Sequence, residues 1–454
     1  MVKLTPEKQN RREKDVAWIL NYAQIIRRNY PKDAEGIQTR DRLLMSLLFI
    51  TSLFPSIILH DSILRYGPPF TVLFIVAIVA VLDLRDSRQR DHLTSFMLAN
   101  KLHVAVVGLY ITVITVSALI VGTLRDAPYV LGSILTISVF HIYLPLAVRE
   151  ERDFFFLMKL LFIVGTSNAA AALVLLVLKW FYGYGLGVFP VGQFGTNKLK
   201  VLEQMHIPYV MKGLFWHPNF LGILLSFMLP SGLFLAHRAR ALSHRLLYAA
   251  GSVMSCITIA GAFAFISLLP TFLTLTLFPV ITKRRINALL SLFVVLSVLA
   301  VNVVVLGGID LTLLKSLPVT SIGRVDRWNT AIPLIRGHAF FGVGPSNAAG
   351  YLPNGLSAHN TFIDIALGNG LPAMMLYSAF FILLTIKTGR SGVGSLSAFM
   401  MLTLLSFFLL QFFETQLFGG MSIANFYFLI VAVSYLSISS SWAMQEEHIG
   451  TACG

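Results

Sequence analysis

The chain is polar for its first 41 residues and then alternates long apolar runs with short charged clusters. Twelve runs stand out, at 43–60, 69–84, 102–124, 129–147, 154–180, 214–236, 246–260, 267–281, 286–308, 361–386, 393–413 and 421–440. Most approach the ~20 apolar residues that carry an α-helix across a ~30 Å hydrocarbon core. The pattern therefore predicts an all-α, polytopic integral membrane bundle of about 12 transmembrane helices. The stretch 246–281 is uncharged throughout and lies between Arg238, Arg240 and Arg245 on one side and Lys283, Arg284 and Arg285 on the other. Both basic flanks belong on one membrane face, so the crossings between them are even in number. Two short spans joined by a hairpin near Gly261–Ser267 satisfy this.

Four regions follow. Residues 1–42 form a basic tail, 43–204 the N-terminal transmembrane helices, 205–386 a core containing the loop 309–360, and 387–454 the C-terminal helices and tail. In the tail, Val16, Ile19, Leu20, Ala23 and Ile26 share one helical face, with Trp18 and Tyr22 beside it and Arg11, Arg12, Lys14, Arg27 and Arg28 around it. This is the pattern of an amphipathic helix lying on anionic lipid, and equally of one docked on the protein's own inner loops. The loops 181–213 and 309–360 are longer than about 15 residues, a length usually tied to function or disorder. Their glycine, aromatic and apolar content suits packed lids.

Composition agrees: 56% of residues are hydrophobic and 12% charged, with a mean hydropathy of +0.76, whereas a soluble chain carries about a quarter charged residues. The net charge of +14 raises nucleic acid as a partner, but its distribution argues against that. With the N-terminus inside, the short inner loops hold 14 Lys/Arg and the much longer outer segments 9. That asymmetry places both termini in the cytoplasm and the two long loops outside. The first apolar run begins near Leu43, too late for the core of a cleavable signal. Cys256 and Cys453 have neither a disulfide framework nor metal-ligand spacing.

Candidate chemistry gathers in the outer segments. Ser357-Ala358-His359-Asn360-Thr361-Phe362-Ile363-Asp364 sets a His-Asn pair where a polar loop enters an apolar run. Histidine can take a proton near neutral pH, although at the mouth of a span it often only caps a helix. Asn360 and Asp364 stand one turn apart if the helix starts here, and so could orient an acceptor hydroxyl. A charge at Asp364 predicts a hydrated cavity, because an unpaired carboxylate is costly in hydrocarbon. Gly368, Gly370 and Pro372 weaken the helix that follows, as in broken helices lining a cavity, or serve close helix packing.

Upstream, Gly323-Arg324-Val325-Asp326-Arg327-Trp328 opens a predicted helix over 326–337, and Arg336 stands near its end. Arginine suits phosphate because its planar fork donates two parallel hydrogen bonds and stays charged. Lipid headgroups, or Asp326, are the alternative partners. A third element, Lys212-Gly213-Leu214-Phe215-Trp216-His217-Pro218-Asn219, puts a lysine before a span with proline in its first turn. Lys212 either adds positive charge at a phosphate site or is an ordinary interfacial lysine. No outer loop offers carboxylates or histidines at metal-ligand spacing, and no phosphate-binding glycine loop or dinucleotide fingerprint occurs. No cofactor is expected.

These three elements, in this order, resemble the O-antigen ligase and O-antigen polymerase family of bacterial membrane glycosyltransferases. The resemblance covers roughly 205–385. The family's His-Asn, nine residues, Gly-x-x-Gly falls on His359, Asn360 and Gly370, with Ala373 in place of the last glycine. Gly-Arg, then Trp, Ala and Gly-x-Gly, falls on Gly323, Arg324, Trp328, Ala331, Gly342 and Gly344, and the Pro-Asn opening of an earlier span on Pro218 and Asn219. Gly368 stands where many members have glutamate, and the family's Ser-Arg pair is absent from 256–270.

The resemblance implies transfer of a glycan from undecaprenyl diphosphate at the periplasmic face of the bacterial inner membrane. The acceptor is another lipid-linked repeat or the lipid A–core, for lipopolysaccharide or exopolysaccharide. His359 and Arg324 would be catalytic. Arg327, Arg336, Lys212, Asn360 and Asp364 would bind substrate, with Lys212 or Arg336 replacing the missing arginine. A polytopic secondary transporter is the rival expectation. It is disfavoured because the apolar runs are almost free of charge and no internal repeat is visible.

Overall fold

The computed structural model describes residues 34–51, 53, 62–123, 126–185, 187–190, 209–215, 217–262, 264–281, 287–307, 324–390, 395–413 and 423–452. The amphipathic tail segment 16–26 and Gly323 lie outside them. By its internal contacts the chain divides after Ser46. In the first unit, the described residues begin helix α1, Ala34–Thr51, where Arg40 and Asp41 form an ion pair of 3.0 Å.

In the second unit, 47–454, helices follow one another along most of the described chain. They are α2 (Ser62–Asp83), α3 (Ser87–Ala99), α4 (Lys101–Val121), α5 (Ala127–Ala147), α6 (Glu151–Tyr182), α7 (Pro218–Arg238), α8 (Leu242–Gly261), α9 (Phe265–Ile281) and α10 (Asn287–Gly307). After a loop come α11 (Arg324–Gly337), α12 (Thr361–Asn369), α13 (Leu371–Arg390), α14 (Ser395–Phe413) and α15 (Ile423–Ala452). Their boundaries follow local rules. Glu150 and Asp153 form a capping box that opens α6, and Gly183, at φ +76°, closes it. The His217 ring accepts from the Asn219 amide (3.1 Å) ahead of Pro218, which starts α7.

Among the described residues, six helices are long and apolar enough to cross a membrane, seven if Pro68–Asp83 and Ser87–Ala99 are taken as one bent span. This is the all-helical bundle of a multi-pass membrane protein. Three details differ from the hydropathy reading. First, α3 is a helix that the apolar pattern does not signal, because Arg88, Arg90 and Asp91 charge its first half, and its axis turns 109° from the helix before it. Second, the run 361–386 is two helices, the nine-residue α12 and then α13, broken at Gly370. Third, the loop 181–213 contains a short antiparallel ribbon, β1 (Val188–Pro190) on β2 (Tyr209–Met211), in an otherwise helical fold. The hairpin between α8 and α9 falls within the expected turn near Gly261–Ser267.

Asp126 after α4, the stretch 338–360, the start of α12 and the C-terminus of α14 meet at one end of the bundle. At the opposite end, the Lys387 ammonium donates to Asn100 Oδ1 (2.6 Å) and Ser440 Oγ (3.3 Å), tying α13 to α15 and to the α3–α4 junction. An ion pair between Arg238 and Glu151 joins α7 to α6 there. Between the ends, aromatic rings fill the core. Phe407 stacks on Phe428 with centroids 3.9 Å apart, and Phe381 lies against both at 5.8 and 5.4 Å. Such pairs add roughly 0.5–1.5 kcal/mol each beyond the area they bury. They set a stiff floor beneath α12, whose Phe362 rests on Tyr377 and Phe408.

Candidate functional site

The segment 357–360 is held from several sides. Trp328 on α11 donates its indole N–H to the Ala358 carbonyl (2.8 Å), and Arg327 reaches the Ser357 carbonyl (3.4 Å). The Ala358 amide donates to Asp364 Oδ1 (2.9 Å). Asn360 caps α12 by accepting from the Ile363 amide (3.2 Å), while its own amide donates to the Phe412 carbonyl at the end of α14 (3.5 Å). Arg327 and Trp328 can both reach this segment because they are adjacent on α11, whose buried face also carries Ala331 and Ile335.

His359 sits in the middle of this clamp with φ at +51°, and among the described residues no other non-glycine residue has a positive φ. A left-handed backbone costs an ordinary side chain on the order of 1–3 kcal/mol and persists only where surrounding contacts impose it. The half-buried His359 is therefore placed by its neighbours, between a buried alanine and the N-terminus of α12.

A second clamp fixes the chain from Ala339 to Gly344. Backbone hydrogen bonds run from Val343 to the Leu367 carbonyl (2.8 Å), Gly344 to Gly368 (3.0 Å) and Leu371 to Ala339 (2.7 Å). The loop thus packs directly on the break between α12 and α13. Glycine is required at two of these positions. Gly342 has φ +66°, and a Cβ there would lie 2.5 Å from the Leu367 oxygen. Gly370 has φ +88°, and a Cβ there would lie 2.2 Å from the Phe340 oxygen. The helix break expected at Gly368 and Gly370 is real, but its cause is this close backbone approach.

Asp126, which the sequence reading passed over, completes the anchoring. Its carboxylate is buried and accepts from the Ser346 amide (2.7 Å) and from the Thr123 amide (2.6 Å) and hydroxyl (3.2 Å). Partial desolvation works against ionisation, but these hydrogen bonds outweigh it and hold the Asp126 carboxyl below its ordinary value. Ser117 on α4 donates to the Phe341 carbonyl beside it. Before a fold was known, an aspartate just ahead of an Ala-Pro helix start signalled at most a cap.

The other expected site residues fall as follows. Arg324 is the first residue of α11 and is partly exposed, one turn before Arg327 on the same face. Arg336, at the far end of that helix, donates to the Leu306 and Gly307 carbonyls and so closes α10. Lys212 follows β2, where its backbone amide bonds to Gly187 (2.9 Å), and burial pulls its ammonium below the usual lysine value. Asp364 is 6% exposed and turned onto the Ala358 amide, where a hydrated cavity was expected. The structure thus brings Arg327, Asn360 and Asp364 together around His359 and holds Arg336 at another helix end.

Apolar side chains rim this end. Phe340 (73% exposed), Tyr351 and Leu356 stand out beside the loop, and Trp180, Phe181 and Tyr182 project from the end of α6. Tryptophan and tyrosine are the side chains enriched at membrane–water interfaces. Among the described residues, no group of three or more His, Cys, Asp or Glu side chains could hold a metal ion. Compared with known proteins, no family model matches this chain and no curated protein does either.

Proposed function

We propose that this protein is a membrane glycosyltransferase of the O-antigen ligase or polymerase type. It would move a glycan from an isoprenoid diphosphate, by resemblance undecaprenyl diphosphate, to a sugar hydroxyl on lipid A–core or on another lipid-linked repeat. The observation that carries the reading is His359, a proton acceptor held in a strained backbone conformation on a doubly clamped loop. Strain maintained in this way is characteristic of functional positions. The aromatic rim suits a lipid-borne donor.

In this reading His359 accepts the proton of the attacking hydroxyl. Arg324 binds the diphosphate, at a helix start whose unsatisfied amides add to its positive charge, and stabilises charge on the departing group. Arg327, Asn360 and Asp364 act by fixing the loop, and Lys212 supplies a second positive charge. Twelve spans, cytoplasmic termini and a periplasmic site in the bacterial inner membrane belong to the same proposal. Buried charged side chains described in the 47–454 unit, Asp126, Asp153, Arg327 and Asp364, lie in loops or first or second helical turns. A path for a charged solute through the bundle would instead favour charged side chains near its middle.

The test is transfer from a purified lipid-linked donor. His359→Gln keeps hydrogen bonding but cannot take a proton near neutral pH, so transfer should fall ~10²–10⁴-fold. Arg324→Lys keeps the charge and loses the fork, and should lose most activity. Wild-type transfer by both variants would remove this reading.

A further inference from the structure

Away from the His359 loop, one face of α4 carries His103, Tyr110 and Ser117 at intervals of seven residues, all of them buried. From His103 to Ser117 the helix rises about 21 Å, two thirds of a ~30 Å hydrocarbon core. Ser117 reaches the loop at the site end. In the middle, Tyr110 lies with Ser133 and Asn369 around the Tyr129 hydroxyl, and neither Ser133 nor Asn369 completes a hydrogen bond of full geometry with it.

Thr136 Oγ1 has no hydrogen-bond partner among the described residues, Ser133 Oγ and the Asn369 amide meet only the Tyr129 hydroxyl and without full geometry, and all three side chains are 0% exposed. Other hydroxyls in these helices, such as Ser255 and Thr385, bond to the carbonyl four residues back, at 2.9 and 2.7 Å. Ser133 and Thr136 do not.

Further along, His103 and His141 both lie against the Phe380 ring, with centroids 6.1 and 6.5 Å away. His141 Nδ1 is 2.8 Å from the Ile137 carbonyl, which only accepts, so the ring proton is on Nδ1. Nε2 is then a bare lone pair, and neither it nor His103 Nε2 has a partner among the described residues. In hydrocarbon each unsatisfied polar group costs several kcal/mol. Water can serve donors and acceptors alike in such a row. Along the axis of α5, Tyr129, Ser133, Thr136 and His141 are separated by rises of about 4–8 Å, with His141 turned about 140° around the helix from Thr136 and toward His103 and Phe380.

We propose that α4, α5 and the α12–α13 break enclose a hydrated proton pathway from Asp126 at the site end to His141, His103 and Lys387 at the opposite end. A proton enters as hydronium and hops through water and hydroxyl groups. His141 Nε2 takes it up and returns it to water or to His103 Nε2, and it leaves as hydronium. No other bond is made or broken, and nothing is oxidised. Asp126 favours entry of positive charge at one end, and Lys387 opposes its accumulation at the other.

The full chain in liposomes with an entrapped pH-sensitive dye, driven by a potassium gradient and valinomycin, should pass protons several-fold faster than protein-free vesicles. His141→Phe and Asn369→Leu should each cut that flux by at least half. In a Cys256→Ser, Cys453→Ser chain, Thr136→Cys should react with a small methanethiosulfonate, which needs a thiolate and hence water. Leu131→Cys, at a position 62% exposed on the apolar surface of α5, should not. No reaction at position 136 would show the seam to be dry and overturn the proposal. A flux that His141→Phe leaves unchanged would overturn it as well.

Discussion

Gly370→Ala tests the packing on which the site rests. Gly370 has φ +88° and ψ 168°, a region populated essentially by glycine alone, and an added Cβ would stand 2.2 Å from the Phe340 oxygen and 2.5 Å from its carbon. The obstacle is backbone, so no side chain can swing aside. The conformation costs of order 1–3 kcal/mol and forced overpacking typically another 1–3 kcal/mol, together about 2–6 kcal/mol. The hydrogen bond from Leu371 to the Ala339 carbonyl lies in the same contact and should break with it. Unfolding entropy of ~2.1 cal/mol/K per residue, over 454 residues, converts this to a fall in Tm of about 2–6 °C. Gly337→Ala is the control. It ends α11 with nothing within 4 Å of the new Cβ, and should be neutral or stabilising by up to about 1 kcal/mol. Thermal unfolding of both purified variants in one detergent, with limited proteolysis of the 338–352 loop, reads the difference. If Gly370→Ala melts with Gly337→Ala and its loop is no more cleavable, the loop does not lie on the helix break and the site geometry is wrong.

Asp126→Ala should destabilise the same loop by about 1–3 kcal/mol, since buried donors lose their acceptor. Because the folded carboxyl titrates below its unfolded value of ~4, its contribution is complete above that pH and lost as pH falls through the lower folded value. The variant should therefore abolish any acid-side loosening of the loop seen by hydrogen exchange. His359→Gly should relieve left-handed strain, leaving stability equal or higher by about 1 kcal/mol, while transfer is lost; a clearly less stable variant would show that His359 is held by packing more than strained by it. Single cysteines at Ser357 and Ser243 should label from opposite sides of intact cells with an impermeant thiol reagent, only the first from outside. Equal labelling would refute the proposed orientation.

The helical class of the fold and the place of many of its helices were legible in the sequence, because hydropathy is a property of each segment on its own, while six or seven described helices meet the length and hydropathy of a span where twelve runs were read. An apolar run bounded by basic clusters becomes a helix whatever it packs against, and caps such as Asn360 and the Glu150–Asp153 box act within a few residues of where they stand. The same locality made α11 and the His359-Asn360 junction visible as candidate chemistry. It hid α3, whose charged residues carry no apolar signal, and hydropathy alone ran α12 into α13, since a break of one residue leaves it unchanged; only Gly368, Gly370 and Pro372 pointed to the break.

Only the tertiary structure decided which distant groups meet. Asp126 and Ser346, 220 residues apart, share a hydrogen bond, and nothing local to either predicts the other. Gly342 and Gly370 are glycines because two backbones approach within the volume of a methyl group, a demand set by the partner strand of chain. Arg327 and Asp364 carry charges that composition would assign to substrate, yet folding turns both onto the His359 loop. His359 itself adopts a backbone conformation uncommon for any residue with a side chain, because buried contacts on either side outweigh its local cost.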